Sequence, residues 1–197
     1  IAAGCSRDTA PGAPPASGAA GASYEGGFKA DATQAAQVAE ATKSGNIKAV
    51  AGPAGPHVAT VKDGESIQAA VTAAQPGTTI RIMPGTYHET VYIDKDNIRL
   101  IGVIEEGRRP LLDGEKKLND AVLYSGNNVV IENLEFRNYK GNGIMGQAGN
   151  NFEIRNNVVV DTGVYGIFPQ LGQNGVVEHN VVSGIADAAI YIGMSDN

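Results

Sequence analysis

The sequence predicts an all-β solenoid, in which the chain winds into stacked coils of about 23 residues behind a short capping helix. Three observations predict this fold: a repeat of constant length, aliphatic residues that recur at fixed places in each repeat, and the lack of a helical period inside the repeats. The chain has 197 residues with 26 glycines, no tryptophan and only 18% charged residues, a composition that indicates many tight turns and few exposed helices.

The repeat is marked by a short polar segment at the start of each coil. These segments read GNN, GNN, GQN and SDN, and they begin at residues 126, 149, 172 and 195, so their spacing is constant. Repeats of this length in β-rich sequence are typical of solenoids, in which each coil contacts only its neighbours. The repeat shows no helical period and is too short to hold a crossover helix, so a regular array of βαβ units is excluded.

Aligning the coils at this period places aliphatic residues in three columns. Because the side chains of a strand alternate between its two faces, these columns are expected to face the core, whereas the charged column of Glu132, Arg155 and Glu178 faces solvent. Parallel coils stack like residues about 4.8 Å apart. The aliphatic columns are Leu100, Ile131, Ile154 and Val177; Phe136, Val159 and Val182; and Ile144, Ile167 and Ile190.

The N-terminal end of the solenoid is predicted to carry a helix over residues 65–75 (ESIQAAVTAAQ), which Pro76 and Gly77 would end. Residues 79–83 (TIRIM) alternate like a strand, and a turn and a second strand follow. The helix would shield apolar side chains and strand edges of the first coil, and the solenoid domain is expected to span residues 57–197. The apolar face of the helix would carry Ile67, Ala70, Val71 and Ala74.

A column of asparagines lies at the turn before one strand of each coil. Asparagine tolerates turn conformations, and its amide can hydrogen-bond the asparagine of the next coil, so we expect a structural ladder rather than a row of ligands. The first step of the column is longer than the others, which predicts an inserted loop at residues 105–110 or 115–120. The column consists of Asn97, Asn128, Asn151, Asn174 and Asn197.

Residues 1–5 (IAAGC) resemble the lipobox that ends the signal peptide of bacterial lipoproteins. The resemblance implies an exported protein whose Cys5 is acylated and tethers it to a membrane, and Ser6 at the next position is, in that family, typical of the outer membrane. Residues 6–56 begin with a low-complexity stretch of Ala, Gly, Pro and Ser that is typical of a flexible tether. One short helix is predicted in this segment, at residues 31–43.

The repeat, the asparagine column and the helical cap resemble right-handed parallel β-helices of the pectate-lyase-like superfamily. Two stretches, YGIFP at residues 165–169 and SGIADAAIYIGMSDN at residues 183–197, are similar more narrowly to a group of bacterial parallel β-helix repeat proteins. The resemblance covers about residues 58–197 and implies a right-handed parallel β-helix. It implies no catalytic residues for this chain.

Several chemistries are disfavoured by composition and motifs. The net charge is −6, and the chain has no Lys/Arg cluster, which argues against nucleic acid as a partner. The paired aspartates of pectinesterases are missing, and residues 165–170 (YGIFPQ) lack the Asp-Pro-His of the similar stretch in alginate epimerases. The three histidines, His57, His88 and His179, share no ligand spacing, so neither a metal nor another cofactor is expected.

The candidate binding surface is the outer face of the strands that direct Ile144, Ile167 and Ile190 inward. The flanking positions are expected to point outward, with small residues on one edge, an apolar and aromatic row in the middle, and two glutamines on the other edge. Phe168 and Tyr191 would form a flat platform for sugar rings, and Asp187 would accept hydrogen bonds from hydroxyls. An alternative is that residues 24–56 or further sequence cover this row. The positions are Gly143, Met145 and Gln147; Gly166, Phe168 and Gln170; and Ala189, Tyr191 and Gly193.

Three functions are compatible with these observations. The first is a lipoprotein of the cell envelope that binds a glycan or polysaccharide on this face. The second is a polysaccharide lyase or glycoside hydrolase with its active coil beyond Asn197, and the third is a non-catalytic envelope scaffold that binds a protein. Asp161 and Asp187, in adjacent coils, are carboxylates that suit either glycoside hydrolysis or turn capping, and turn capping is favoured. Because residues 195–197 begin a new coil, further repeats are expected after them.

Overall fold

The computed structural model describes residues 57–195, which form a parallel β-solenoid with three sheets and one short helix. The first sheet contains β1 (Val58–Val61), β2 (Thr79–Ile82), β5 (Arg99–Gly102), β8 (Val130–Glu132), β11 (Glu153–Arg155) and β14 (Val176–Glu178). The second contains β3 (Thr86–Tyr87), β6 (Leu111–Asp113), β9 (Glu135–Arg137), β12 (Val158–Val160) and β15 (Val181–Ser183). The third contains β4 (Val91–Ile93), β7 (Val122–Tyr124), β10 (Ile144–Gln147), β13 (Tyr165–Gln170) and β16 (Ala188–Ile190).

From β2 onward, each turn of the solenoid contributes one strand to each sheet, and the predicted columns are in register. Ile131 pairs with Leu100 on one side and Ile154 on the other, and the columns that contain Phe136 and Ile144 align in the same way. Ile131, Ile144 and Phe136 have no exposed surface. The aliphatic columns therefore form the core, as the repeat predicts, and the predicted coil length is confirmed.

The asparagine ladder is confirmed from Asn97 to Asn151. Asn128 donates a hydrogen bond from Nδ2 to Oδ1 of Asn97, and Asn151 donates in the same way to Asn128, each over 3.0 Å. Asn97, Asn128, Asn151 and Asn174 all have φ between 54° and 60°, a left-handed conformation that asparagine adopts more readily than most residues. A second left-handed column, at the next corner, consists of Asn133, Asn156 and His179.

The long first step of the ladder is explained mainly by a loop at residues 103–110. This loop connects β5 to β6, whereas residues 133–134 alone make the same connection between β8 and β9. The first of the two predicted insertion sites is therefore the principal one. Arg109 fixes the loop to the solenoid, because its Nη1 donates a 2.7 Å hydrogen bond to the carbonyl oxygen of Asn156, two coils away.

The predicted capping helix is α1 (Ile67–Ala73), and side chains of the first complete coil hold both of its ends. The Glu89 carboxylate accepts hydrogen bonds from the backbone N–H groups of Ile67 and Gln68 at the N-terminus. At the other end, Nζ of Lys95 donates to three backbone carbonyls, at 2.6 to 3.1 Å. Both charges complement the helix dipole. The Gln68 side chain also bonds the backbone N–H and carbonyl of Tyr92, so α1 occupies the open edge of β4.

The predictions for Cys5, for residues 6–56 and for Asn197 concern parts of the chain outside the described residues. Within residues 57–195, no helix is long and apolar enough to cross a membrane.

Candidate functional site

The outer face of the third sheet carries one apolar row that runs along the solenoid axis. Leu123, Met145 and Phe168 are register partners on successive strands, and Tyr191 follows in the next coil, where its N–H bonds the carbonyl of Ile167. The exposed fraction increases along the row, from 3% at Leu123 and 5% at Met145 to 46% at Tyr191. Tyr92, the register partner of Leu123 on β4, begins the row and is partly buried, so the most exposed end of the row is the end at Tyr191.

Three aromatic side chains form a close cluster at this end. The ring centroids of Phe168 and Tyr191 are 5.2 Å apart with an interplanar angle of 19°. Tyr165, which the sequence analysis did not select, lies 4.6 Å from Phe168 and 5.3 Å from Tyr191 between centroids. We call Tyr165, Phe168 and Tyr191 the ring cluster.

The rings of Phe168 and Tyr191 overlap in a stack rather than lying side by side. Near-parallel rings at this separation adopt the offset arrangement that aromatic pairs favour. Part of each ring face is consequently covered by its neighbour, and the surface offered to a ligand combines ring faces, ring edges and the two tyrosine hydroxyls. The cluster differs in this respect from the flat platform that the sequence predicts.

Two of the three small residues expected on one edge of the surface face the core instead, whereas the third, Ala189, is exposed. A Cβ atom placed on Gly143 or Gly166 would overlap the core side chain of Val159 or Val182, respectively. The expectation that Gly143 and Gly166 point outward is therefore wrong. Strict alternation fails at the start of β13, where Gly166 and Ile167 both face the core. Tyr165, the first residue of this strand after the corner between the second and third sheets, is the residue directed outward.

A side-chain ladder positions Tyr165 at this corner. The Asp120 carboxylate accepts hydrogen bonds from the backbone N–H and the side-chain amide of Asn142, each at 2.8 Å. Asn142 in turn accepts a 3.1 Å bond from the backbone N–H of Tyr165. Asp120 and Asn142 are buried, so the ladder ends where the chain presents an aromatic side chain to solvent.

Polar groups border the ring cluster on two sides. Gln147 and Gln170 are register partners at the ends of β10 and β13, and both are partly buried. Asp187 is exposed in the turn before β16. Partial burial, together with the nearby Asp187 carboxylate, raises the pKa of Tyr165 above its ordinary value. All five predicted site residues thus lie on one face, with Tyr165 as an addition.

Asp161 has the geometry of a turn residue rather than that of a catalytic carboxylate. Its φ is 55°, and its carboxylate lies against Gly184 of the next coil, which occupies the equivalent left-handed turn position. Asp187 comes three residues later in that coil and is not the register partner of Asp161. Among residues 57–195, no three His, Cys, Asp or Glu side chains are grouped closely enough to hold a metal ion.

The sequence model of a protein family described as a right-handed β-helix region matches residues 85–197, more than half of the chain. The chain belongs to this β-helix family. The match begins before β3 and includes the ring cluster with all of the second and third sheets, whereas α1 and the first two strands precede it. Neither the curated proteins nor the solved structures with which the chain was compared contain a match.

Proposed function

We propose that this β-helix protein binds a glycan on the outer face of its third sheet, at the ring cluster. One observation carries the proposal: three aromatic side chains converge at the most exposed end of an apolar row. The core of the solenoid is filled by aliphatic columns and does not require these rings. Contact with a ligand would account for their position.

The chemistry of the surface suits a sugar. Sugar rings present apolar C–H faces, which pack on aromatic side chains, and hydroxyl edges, which need hydrogen-bonding groups. Gln147 and Gln170 offer amide donors and acceptors beside the rings, and Asp187 offers an acceptor. Because the three centroids are only 4.6 to 5.3 Å apart, no sugar fits between the rings. The glycan would lie across the cluster.

Binding of glycans to two alanine variants tests this proposal. Phe168→Ala and Tyr191→Ala are each expected to weaken binding by about 1 kcal/mol, roughly fivefold in the dissociation constant. Isothermal titration against a panel of oligosaccharides measures this change. Ile104→Ala is the matched control, since Ile104 is 44% exposed but lies in the loop between the first and second sheets. Equal affinity in both ring variants and the wild type would remove the ring cluster as the binding site.

The same titration distinguishes glycan binding from the two other functions. A scaffold for a protein partner predicts no affinity for any oligosaccharide. A lyase or hydrolase predicts that unsaturated or reducing ends accumulate when the glycan is incubated with the protein, whereas the proposed binding protein releases its ligand intact.

The location at the cell envelope is a separate proposal that rests on Cys5 and the residues before it. Acyl chains on Cys5 would add about 0.8 kcal/mol of membrane affinity for each buried CH₂. Cys5→Ala is therefore expected to release the protein from the membrane fraction when the full precursor is expressed in a bacterium. The idea fails if the variant still sediments with membranes and the wild-type protein carries no lipid by mass spectrometry.

A further inference from the structure

In the two coils that carry the ring cluster, the part of the chain that follows β11, residues 156–195, contains carboxylates but no lysine or arginine. Between residues 156 and 195 the acidic side chains are Asp161, Glu178 and Asp187. Arg109, Arg155 and His179 lie at the first sheet or its corner with the second, which is not the face of the rings. Lys140 is exposed one coil earlier, in the turn before β10.

We propose that the ring cluster selects a glycan with protonated amino groups, a cationic amino-sugar polymer, over neutral and uronic-acid glycans. This inference rests on the proposed function and specifies its ligand class. Two features combine at one place: aromatic faces, whose quadrupole attracts cations, and the exposed carboxylate of Asp187. The backbone N–H of Asp187 donates a 3.1 Å hydrogen bond to the carbonyl of Val164, the residue before Tyr165. A polyuronate would meet the same carboxylate with like charge and find no lysine or arginine of these two coils beside the rings to offset it.

The geometry assigns different roles to the rings and the carboxylate. The rings of Phe168 and Tyr191 provide the contact area for the sugar ring, which any pyranose with a C–H face can use. Asp187 distinguishes among such sugars through the substituent on the ring, because an ammonium group gains an ion pair and a carboxylate is repelled. An N-acetyl group, which is neutral, gains neither effect.

Three oligomers of equal length and matched concentration test the inference in isothermal titration: glucosamine, N-acetylglucosamine and galacturonate. At mildly acidic pH and low salt, the glucosamine oligomer is expected to bind about threefold to tenfold more tightly than its N-acetylated counterpart, the range that an exposed ion pair and a cation–π contact provide. The galacturonate oligomer is expected to bind most weakly. Added salt should reduce the preference for glucosamine, because exposed charges are screened.

Asp187→Asn should remove the preference for glucosamine without abolishing binding of the N-acetylated oligomer. Asp161→Asn is the matched control, because it removes one equal charge from the neighbouring coil at a left-handed position that asparagine also occupies at Asn138. The preference should survive in this control. Thermal melting of both variants verifies that the fold is retained.

The outcomes separate this inference from the function on which it rests. If both glucosamine-based oligomers bind equally, or galacturonate binds best, or Asp161→Asn acts as Asp187→Asn does, the selectivity proposal is overturned while glycan binding stands. If none of the three oligomers binds and Phe168→Ala changes nothing across the wider panel, the selectivity proposal and the proposed function fail together.

Discussion

At the scale of single residues, two buried tyrosines differ in what their hydroxyl groups contact. The hydroxyl of Tyr139 donates a 2.7 Å hydrogen bond to the backbone carbonyl of Glu89, whereas that of Tyr124 has no partner among the described residues. Burial raises the pKa of both side chains, so each hydroxyl stays protonated. An unpaired buried hydroxyl costs stability, and a paired one contributes to it.

Replacing each tyrosine with phenylalanine should therefore have opposite effects. Tyr139→Phe is expected to lower the free energy of unfolding by about 1 kcal/mol, because it leaves the carbonyl of Glu89 without its donor. Tyr124→Phe is expected to leave that free energy unchanged or raise it by about 1 kcal/mol. Urea unfolding measures both, and each variant serves as the control for the other. A loss of stability in Tyr124→Phe would show that its hydroxyl has a partner in solution.

The asparagine ladder yields a second prediction at this scale. Asn128 has φ of 56° and bonds asparagines of the coils on both sides. Asn128→Ala should lower the free energy of unfolding by about 1–2 kcal/mol, because alanine is strained in the left-handed region and lacks the amide. Asn128→Gly should recover the part due to backbone strain. Equal losses in the two variants would indicate that the amide contacts alone matter.

At the scale of elements, the attachment of α1 depends on a carboxylate with an unusual environment. Burial raises the pKa of Glu89 above its ordinary value, although hydrogen bonds from Gln68, Ile67 and Ser66 oppose this effect. Because its pKa is higher in the folded state than in the unfolded state, the contribution of Glu89 to stability is greatest below the unfolded pKa. That contribution decreases as the pH rises through the folded pKa.

Comparison of the wild type with Glu89→Gln isolates this effect. The difference in free energy of unfolding, wild type minus variant, should decrease as the pH is raised from about 4 through the mildly acidic range. Neighbouring groups lower the pKa values of Asp113 and Glu115, so the contributions of these two residues to the free energy of unfolding change with pH in the opposite direction. Both residues are present in the wild type and in the variant, so these contributions cancel in the difference. If this difference does not vary with pH, the pKa of Glu89 is the same in the folded and unfolded states.

The elements also show what periodicity can and cannot predict. The aliphatic columns and the Asn128 ladder were predictable because successive coils repeat the same environment at a constant interval. The outward position of Tyr165 was not predictable, because its column contains Asn142 and Ala188 and therefore shows no recurring residue type. The capping of α1 by Glu89 was equally hidden, since a contact made once, at the end of the solenoid, leaves no periodic trace.

At the scale of the whole molecule, the last described coil leaves the solenoid core open. β14, β15 and β16 are the terminal strands of their sheets within residues 57–195. Ile190 continues a core column but is 45% exposed, and Ile192 is 50% exposed. Both line a cavity of about 300 Å³ whose walls also include Phe152 and Val177. Apolar side chains and free strand edges together favour association with another surface.

A chain made of residues 1–197 alone, without the further repeats expected after them, is therefore expected to self-associate through this end. Met194, two residues after Ile192, is 71% exposed. Ile192→Ser combined with Met194→Ser should weaken association about tenfold, because each removes part of the roughly 1.5–3 kcal/mol that burial of such a side chain provides. Sedimentation equilibrium over a range of concentrations measures the change, with Ile104→Ser as a control for an exposed isoleucine elsewhere. Since each chain carries a net charge of −6, added salt should strengthen association by screening repulsion. The prediction is contradicted if the wild-type chain stays monomeric at high protein concentration and high salt. If only Ile104→Ser reduces association, the contact lies instead at the loop of residues 103–110.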